Sequence, residues 1–444
     1  MSATLRSIVI VGGGFAGTEL ARALDGRLPA GYELVLVSEE SYTTFNPLLP
    51  EVVGASIFPE QAVAPIRLTL RRTRFVMGRV VAVDAARRTL TAATLAGELA
   101  IAYEHLVLAF GNRAREDLIP GQAEHALPLK TVGDAMHIRN TVLRRVAQIE
   151  LEADPAIRRR LGRFVVIGGG FSGVETAGEI VDCLRGLRRY YPRAAPDELR
   201  VTLLHEQPRL LPELPERLGV AAHWSLAARG VDVRTGVRAT FVGERAVALR
   251  DGSSIPAATV ICTIGTRPDA LVERMTIPVE RGRIVVNPDL SVRDMPGLWA
   301  IGDCALVVNA RDGKVAPATA QFAVREARHA ARSLLAVLAG GPTRAFGYQG
   351  RGVMAGIGHL NGVALVGGIP LWGLPAWLLW RAYYLAQMPT FGRKLRLLVE
   401  WTWGMFFPAD ITHVRFARSR DLEDERPRPE ASRDDDPAAR LRAA

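Results

Sequence analysis

Six glycines of this chain stand in two segments with the same internal spacing, and glycines with this spacing can cradle phosphate groups. They are Gly12, Gly14 and Gly17 in the first segment and Gly168, Gly170 and Gly173 in the second. Glycine at such positions permits a tight turn after a strand and lets the backbone approach a pyrophosphate closely. The N-terminus of the following helix then faces the phosphates with free N–H groups. Each segment therefore predicts a dinucleotide site.

The sequence around the glycine segments is also repeated, which makes the prediction more specific than one segment alone would be. Residues 8–19 recur in closely similar form as residues 164–175. Each copy has an apolar strand, the glycines, a helical stretch and a second apolar strand, which is the order of a βαβ unit. Glu39 stands roughly twenty residues after the first segment, where a carboxylate can hold a ribose hydroxyl. Glu206 ends the second strand of the second unit.

The surroundings of Glu206 favour NADH over NADPH as the nucleotide of the second unit. A carboxylate there suits a ribose hydroxyl, and no arginine follows immediately to accommodate a 2′-phosphate. A cationic His205 beside it would favour the phosphate, so NADPH remains possible. The alternative for Glu206 is a solvent-exposed strand end without a ligand.

The composition is that of a folded, multi-domain protein. The 444 residues are 48% hydrophobic and 23% charged, and a chain of this length exceeds one ordinary core. The net charge of +10 suits nucleic acid, an acidic membrane surface or nucleotide phosphates. Three cysteines, far apart in sequence, indicate neither a disulfide scaffold nor a redox dithiol. Residues 1–6 show no signal-peptide pattern, so we expect the bulk of the chain in the cytoplasm.

The remainder of the chain predicts elements that complete the two units and continue beyond them. Strand patterns lie at residues 33–37, 75–83, 103–109, 200–204, 259–264, 282–286 and 297–301, and helix patterns at residues 134–152 and 318–338. A pair of strands is expected within residues 346–366, and residues 372–403 are aromatic, basic and helix-rich. From residue 417 onward, charged residues and proline predominate without apolar periodicity, which predicts a disordered tail.

These units, in this order, resemble the flavin-dependent pyridine nucleotide oxidoreductases, in which an N-terminal unit binds FAD and an inserted unit binds NAD(P)H. The resemblance extends from residue 1 to about residue 410. Residues 297–303 match the family's late FAD motif, which implies that Asp303 contacts the ribityl and pyrophosphate end of the flavin. The implied fold is α/β, with two Rossmann-like domains, the second inserted in the first. Its expected limits are residues 1–125 and 285–340 for the FAD domain, 126–284 for the NAD(P)H domain, 341–416 for a C-terminal membrane-associating segment and 417–444 for the tail.

Within that family, the chain is most similar to the type II NADH:quinone oxidoreductases. The likeness rests on residues 45–51, 173–175 and 317–321 and on the aromatic C-terminus. The absence of a redox cysteine pair argues against disulfide reductases and sulfide:quinone reductases, whose electrons pass through sulfur. The resemblance implies that NADH reduces the flavin, which then passes two electrons to a membrane quinone without proton pumping. It also implies cofactor contacts at Pro47, Gly265 and Gln321.

The resemblance assigns three side chains to catalysis. Glu175 would lie near the nicotinamide and flavin, where a carboxylate can position the cofactor or relay protons; the alternative is that it caps the helix starting at Gly170. Gln321 corresponds to the first glutamine of the family's quinone motif, whereas Arg325 replaces the second. Arg325 can donate to a quinone carbonyl; the alternative is that Arg325 and Glu326 form an exposed helix face.

The C-terminal segment predicts a peripheral contact with a membrane. Five of the seven tryptophans fall in this segment, mixed with arginines and a lysine, a composition that suits the headgroup region. They are Trp372, Trp377, Trp380, Trp401 and Trp403. Glycines and prolines interrupt the apolar run of residues 362–380, so a spanning helix is not expected. The alternatives are a dimer interface or an internal core, and family members often form homodimers through this region.

The leading hypothesis is thus a peripheral NADH:quinone oxidoreductase at the cytoplasmic face of the cell membrane. An enzymatic alternative is a reductase of a ferredoxin-like or other protein acceptor, which would not need an interfacial aromatic segment. A third hypothesis is a flavoprotein whose bound nucleotide controls partner binding. Nucleic-acid binding is disfavoured because the sequence has no recognised nucleic-acid module.

Overall fold

The computed structural model describes residues 5–350, 352–407 and 410–414. The predicted disordered tail, residues 417–444, lies outside the described residues. The α-helices of the described chain are α1 (Phe15–Leu24), α2 (Leu49–Val53), α3 (Gln122–His125), α4 (Val132–Leu151), α5 (Pro155–Leu161), α6 (Phe171–Leu187), α7 (Glu216–Ala228), α8 (Ala270–Arg274), α9 (Ala320–Leu338), α10 (Leu374–Gln387) and α11 (Phe391–Phe406).

The first sheet is built on the strand that precedes the first glycine segment. In spatial order its strands are Leu298–Ala300, His105–Leu108, Arg6–Val11, Tyr32–Ser38, Arg74–Asp84, Thr89–Thr94 and Gly97–Ala102. The first five strands run parallel, and the last two continue antiparallel from the long strand Arg74–Asp84. Helices α1 and α9 contribute apolar residues to the core of this sheet, which explains why its central strands read as continuous apolar runs.

A second parallel sheet is inserted in the chain between two strands of the first. Its strands, in spatial order, are Ala126–Pro128, Thr259–Cys262, Arg163–Ile167, Arg200–His205 and Val231–Thr235. The chain leaves the first sheet after His105–Leu108 and returns to it at Leu298–Ala300. Where it leaves and where it returns, Arg113–Ala114 pairs with Thr266–Arg267 in a short antiparallel ribbon.

Smaller sheets complete the two units. They comprise Ala239–Val242, Ala246–Leu249 and Ser254–Pro256, then Val279–Glu280, Arg283–Val285 and Ala305–Leu306, and the pair Tyr42–Thr44 and Val63–Pro65.

The pair of strands predicted within residues 346–366 is confirmed, and a third strand follows it outside that range. Gly352–Gly356, Gly362–Val366 and Ile369–Trp372 form an antiparallel sheet. The third strand follows a two-residue turn of Gly367 and Gly368, whose φ angles are 57° and 84°. Glycine adopts positive φ without steric cost, and two such residues form the preferred tight hairpin turn. These glycines therefore turn the chain between strands of one sheet.

Helices α10 and α11 pack into the protein core, which corrects the expectation that all five C-terminal tryptophans lie at a membrane interface. Trp377, Trp380 and Trp401 are no more than 3% exposed, and Trp380 and Trp401 belong to the core shared with α2, α4 and α6. Trp372 and Trp403 are 57% and 60% exposed. Some aromatic side chains of the C-terminal segment therefore lie in the protein interior, and others lie on its surface. None of the helices within the described ranges is both long and apolar enough to span a bilayer.

Candidate active site

The first glycine segment forms a turn that opens onto a large cavity. Gly12 has a φ of 113°, and a Cβ at Gly17 would lie 1.9 Å from the Gly12 carbonyl oxygen, so both positions require glycine. A Cβ at Gly14 would meet no protein atom within 4 Å. No side chain caps the start of α1 at Gly14, which leaves its first N–H groups available to a ligand. The cavity beyond has a volume of about 690 Å³, within the range of small-molecule and cofactor sites.

The cavity is polar where the late flavin motif meets it. Asp303, Asn112 and Lys130 line this part. The Lys130 ammonium donates a hydrogen bond to Asn112 Oδ1. Burial lowers the pKa of Lys130, while the nearby Asp303 carboxylate acts to raise it. A half-buried lysine therefore lies near the residue that the resemblance assigns to the ribityl and pyrophosphate end of a flavin.

Glu39 lies on the rim of the same cavity, as its expected role requires, but it is already held by arginines. Its Oε1 accepts a hydrogen bond of 2.6 Å from Arg113 Nη2 and lies 3.5 Å from Arg79 Nε. Arg113 Nε also donates to Asp269 at 2.8 Å. The sequence analysis missed Arg113 and Asp269, because they come from the ribbon and from α8, far from Glu39 in the chain.

Helix α9 contributes Glu326 beneath the late flavin motif, and this placement rules out the exposed-face interpretation of Arg325 and Glu326. Glu326 is buried, and its Oε2 accepts a hydrogen bond of 2.7 Å from the Gly302 N–H, next to Asp303. Burial raises the pKa of Glu326 to about 7. Arg325 is half-buried, with its guanidinium carbon 5.2 Å from the centre of the Tyr348 ring.

The second glycine segment repeats the geometry of the first. Gly168 has a φ of 118°, and a Cβ at Gly173 would lie 1.7 Å from the Gly168 carbonyl oxygen. The space around Gly170 is open. A smaller cavity of about 120 Å³ adjoins this unit; its lining includes Ser172 of α6 and Gly265. Pro47 lines the larger cavity instead.

The two cavities share part of their walls. Asn46, Ala114 and Lys130 line both of them. A group bound in the smaller cavity, beside Ser172 at the start of α6, would therefore lie next to a group bound in the larger one. Such proximity and orientation is what transfer of a hydride between two bound groups requires.

Glu206 is exposed at the end of its strand, and two arginines that are distant in sequence lie beside it. Its Oε1 lies 3.1 Å from Arg238 Nη1 and 3.7 Å from Arg250 Nη2. His205 accepts a hydrogen bond of 3.1 Å at Nδ1 from the Gly169 N–H. Burial lowers the pKa of His205, so it does not provide the cation beside Glu206 that the sequence leaves open.

Glu175 does not cap its own helix, because its carboxylate is directed to the C-terminal sheet. Glu175 Oε1 accepts a hydrogen bond of 3.1 Å from the Gly356 N–H. Gln321 Nε2 lies 3.5 Å from the Gly352 carbonyl oxygen. The strand Gly352–Gly356 thus extends from one predicted catalytic side chain to the other, a relation that the sequence analysis did not foresee.

Glu175 belongs to a group of buried acidic residues between α2, α6 and the C-terminal helices. Glu51 accepts from Trp401 Nε1 at 2.7 Å and from Arg381 Nη2 at 3.3 Å. Glu179 accepts from the Ser56 hydroxyl at 2.6 Å. Burial raises the pKa of all three carboxyl groups, that of Glu179 to about 8. We name Glu51, Glu175 and Glu179 the acidic cluster.

The chain matches the model of one known protein family. The model of the pyridine nucleotide-disulphide oxidoreductase family matches residues 6–327, which is more than half of the chain. The chain therefore belongs to this family. All three cysteines, Cys183, Cys262 and Cys304, are buried and free.

Two curated relatives indicate the group within this family to which the chain is similar. They are the type II NADH:quinone oxidoreductases Ndh and NdhA of Mycobacterium tuberculosis, 30% and 31% identical to this chain. The matches cover 89% and 90% of this chain and 87% of each relative. The chain thus groups with the type II NADH:quinone oxidoreductases. The solved structure of NDH2 from Plasmodium falciparum in complex with NADH has the same fold, with a TM-score of 0.85 at 17% identity over 92% of this chain and 99% of that one.

Proposed function

We propose that this flavin-dependent enzyme takes hydride from NADH at a bound FAD and passes two electrons to a membrane quinone. The observation that carries the proposal is the shared wall of the two cavities at Asn46, Ala114 and Lys130. This shared wall supports contact between the nucleotide of the inserted domain and the ligand of the first domain. The family relationship with quinone reductases favours a quinone over a protein acceptor.

The residues around the larger cavity fit FAD. In this assignment Gly12, Gly14 and Gly17 approach the pyrophosphate, Glu39 binds the adenosine ribose, and Asp303 binds the ribityl end. The open space at Gly14 and the uncapped start of α1 support this placement. A bound flavin supplies the ability to accept hydride and release electrons, and the protein supplies orientation and electrostatics.

The inserted domain is assigned to NADH and the neighbouring side chains to the quinone. Gly168, Gly170 and Gly173 approach the NADH pyrophosphate, and Glu206 and Gly265 contact the remainder of the nucleotide. Glu175 is the candidate proton donor to the quinone, and Gln321 and Arg325 are candidate donors to its carbonyl groups. The strand Gly352–Gly356 supports a common site, because it contacts both Glu175 and Gln321.

Anaerobic mixing tests this function directly. An equimolar amount of NADH should bleach the flavin absorbance of the purified protein, and a soluble ubiquinone or menaquinone analogue should then restore it. The two steps separate hydride transfer from quinone reduction. A flavin that NADH leaves oxidised contradicts the proposal. A reduced flavin that a ferredoxin reoxidises, but quinones do not, would support the alternative reductase.

The nucleotide preference should depend on the ion pairs of Glu206. Because Arg238 and Arg250 are paired with its carboxylate, Glu206→Gln frees two guanidinium groups for a 2′-phosphate and removes the charge that repels it. We expect the ratio of kcat/KM for NADPH to that for NADH to rise by roughly 10- to 100-fold, the effect of one hydrogen bond to a charged group.

The double variant Glu206→Gln/Arg238→Gln is the control for this prediction. It should lose most of the gain with NADPH while retaining activity with NADH. If Glu206→Gln only weakens NADH and leaves NADPH unchanged, Arg238 and Arg250 do not face the nucleotide.

We also propose that the exposed face of α10, α11 and the C-terminal sheet binds a membrane surface. Its large apolar side chains include Trp372, Leu378, Phe391, Leu395, Val399, Trp403 and Phe406. Arg393, Lys394 and Arg396 lie among them on α11, and basic residues near an anionic leaflet each add about 1 kcal/mol of attraction. This face would hold the protein at the cytoplasmic side of the cell membrane. The alternative is that a second copy of the chain covers the same face in a homodimer.

A further inference from the structure

The three carboxyl groups of the acidic cluster are buried, so water does not solvate their charged forms. Glu51, Glu175 and Glu179 are at most 7% exposed. Arg381 forms an ion pair of 3.3 Å with Glu51. Within the described ranges, Glu175 and Glu179 form no ion pair; their carboxylates accept from the Gly356 N–H and the Ser56 hydroxyl. Three negative charges cannot be held in such a site with one cation, so part of the cluster retains its protons at neutral pH.

The charges that face Glu179 indicate which groups hold those protons. Glu51 from α2 and Asp182 from its own helix raise the pKa of Glu179, and burial contributes most. The Ser56 hydroxyl and Arg381 from α10 act in the opposite direction. Glu175 lies four residues earlier on α6. Because Arg381 pairs with Glu51 directly, a negative charge is stabilised best on Glu51, and this favours the protonated forms of Glu175 and Glu179.

These groups follow α6 from the half-buried Ser56 toward the smaller cavity. Glu179 and Glu175 are one turn apart on the same face of α6. At the outer end, the half-buried Ser56 contacts Glu179 and lies beside Gly404 of α11, where a Cβ would be 3.8 Å from the Ser56 carbonyl oxygen. At the inner end, Ser172 precedes Glu175 by one turn and lines the smaller cavity.

We propose that Glu179 is a proton-relay residue that reprotonates Glu175 during quinone reduction, and that Ser56 connects it to solvent beside α11. This inference rests on the proposed role of Glu175 as the proton donor. The Glu51 carboxylate is a positioning element: its negative charge, which Arg381 stabilises, favours the protonated form of Glu179.

The proton balance of the reaction requires such a supply. NADH, quinone and one proton give NAD⁺ and quinol; the hydride brings both electrons and one hydrogen, and the second hydrogen is a proton from solvent. The Glu175 O–H bond breaks to protonate a quinone oxygen. The Glu179 proton then passes to the Glu175 carboxylate, and a solvent proton reaches Glu179 through the Ser56 hydroxyl. No electron moves along this path.

The variant Glu179→Gln tests the relay, because glutamine has the shape of a protonated glutamate but cannot release a proton. Flavin reduction by NADH and its reoxidation by a soluble quinone are measured separately by anaerobic stopped flow over a range of pH. We expect reduction within twofold of the wild type and reoxidation at least about 10-fold slower, since a general acid contributes about 10²–10⁴-fold. The reoxidation pH profile should flatten, and Ser56→Ala should slow reoxidation to a smaller extent.

Two further measurements keep the test decisive. The infrared carbonyl band of a protonated buried carboxyl group in the oxidised protein should lose intensity in Glu179→Gln, and exposed Glu216→Gln serves as the matched control for both readouts. Unchanged reoxidation in Glu179→Gln, or an equal loss in both half-reactions, would overturn the relay. If the wild-type protein fails either half-reaction, the proposed function itself is wrong, so the two failures are distinguishable.

Discussion

Replacing Arg381 by methionine is expected to lower the free energy of unfolding by about 3–5 kcal/mol, because it leaves the buried Glu51 carboxylate without its cation. Arg381 Nη2 lies 3.3 Å from Glu51 Oε1. Its guanidinium carbon also lies 3.9 Å from the centre of the Trp377 ring and 4.8 Å from that of Trp401. The substitution therefore removes an ion pair and two cation–π contacts. Urea denaturation followed by tryptophan fluorescence measures the loss.

The double variant Glu51→Gln/Arg381→Met separates the ion pair from the packing. Removing both charges leaves no unpaired buried charge, so most of the lost stability should return. If the double variant is as unstable as Arg381→Met, the contacts of Arg381 with the tryptophans are responsible instead, and the ion-pair explanation is wrong.

Substituting serine for Phe391, Trp403 and Phe406 together is expected to abolish flotation of the protein with anionic liposomes. These side chains are 80%, 60% and 76% exposed. Full burial of one large apolar side chain is worth about 1.5–3 kcal/mol. Three of them contribute on the order of 5 kcal/mol, a change of more than about 10³ in partitioning. Flavin reduction by NADH should persist, because no residue assigned to either nucleotide is changed.

The matched control places serine at Leu95, Leu151 and Trp224, which are 91%, 84% and 69% exposed and lie outside the C-terminal segment. This variant should float like the wild type. If the variant with serine at Phe391, Trp403 and Phe406 floats as well as the control variant, the membrane proposal is wrong. If the α11 variant instead changes the oligomeric state in solution, the face belongs to a dimer. Deleting the segment from Leu371 onward is not an equivalent test, because the deletion would remove the buried Trp377, Trp380 and Trp401.

The parts of the fold that could be predicted are those that local sequence determines. Gly12 and Gly17 are required by a turn within six residues, and the apolar runs on either side define the strands. The third C-terminal strand was not predicted, although it had a local signal. Gly367 and Gly368 form the turn, and Pro370 is tolerated because its strand lies at the edge of the sheet.

The distribution of the tryptophans also had a local signal. Trp401 and Trp403 are two residues apart on α11, so they face nearly opposite sides of the helix, and one is buried while the other is exposed. The composition of the segment, taken alone, predicts that both tryptophans lie on one surface. Helical periodicity would have separated them.

The polar parts of the site could not be predicted, because their partners are distant in sequence. Arg381 and Glu51 are 330 positions apart, Arg113 and Asp269 are 156 apart, and Arg238 and Glu206 are 32 apart. A single sequence contains no signal for such pairs. For that reason, motifs locate the glycines of the site, whereas only the tertiary structure reveals the charges around them.

The insertion of one domain in another has a consequence for biosynthesis. The strand Leu298–Ala300, which pairs with His105–Leu108, emerges about 190 residues after it. At about 5–20 residues per second, the ribosome needs roughly ten to forty seconds to make that stretch. During this interval the His105–Leu108 strand has an unpaired edge, the kind of surface that invites misassembly. The last strand of the inserted sheet ends at Cys262, before Leu298–Ala300 is made. The inserted domain begins later in the chain than the first domain, but its sheet can be completed earlier.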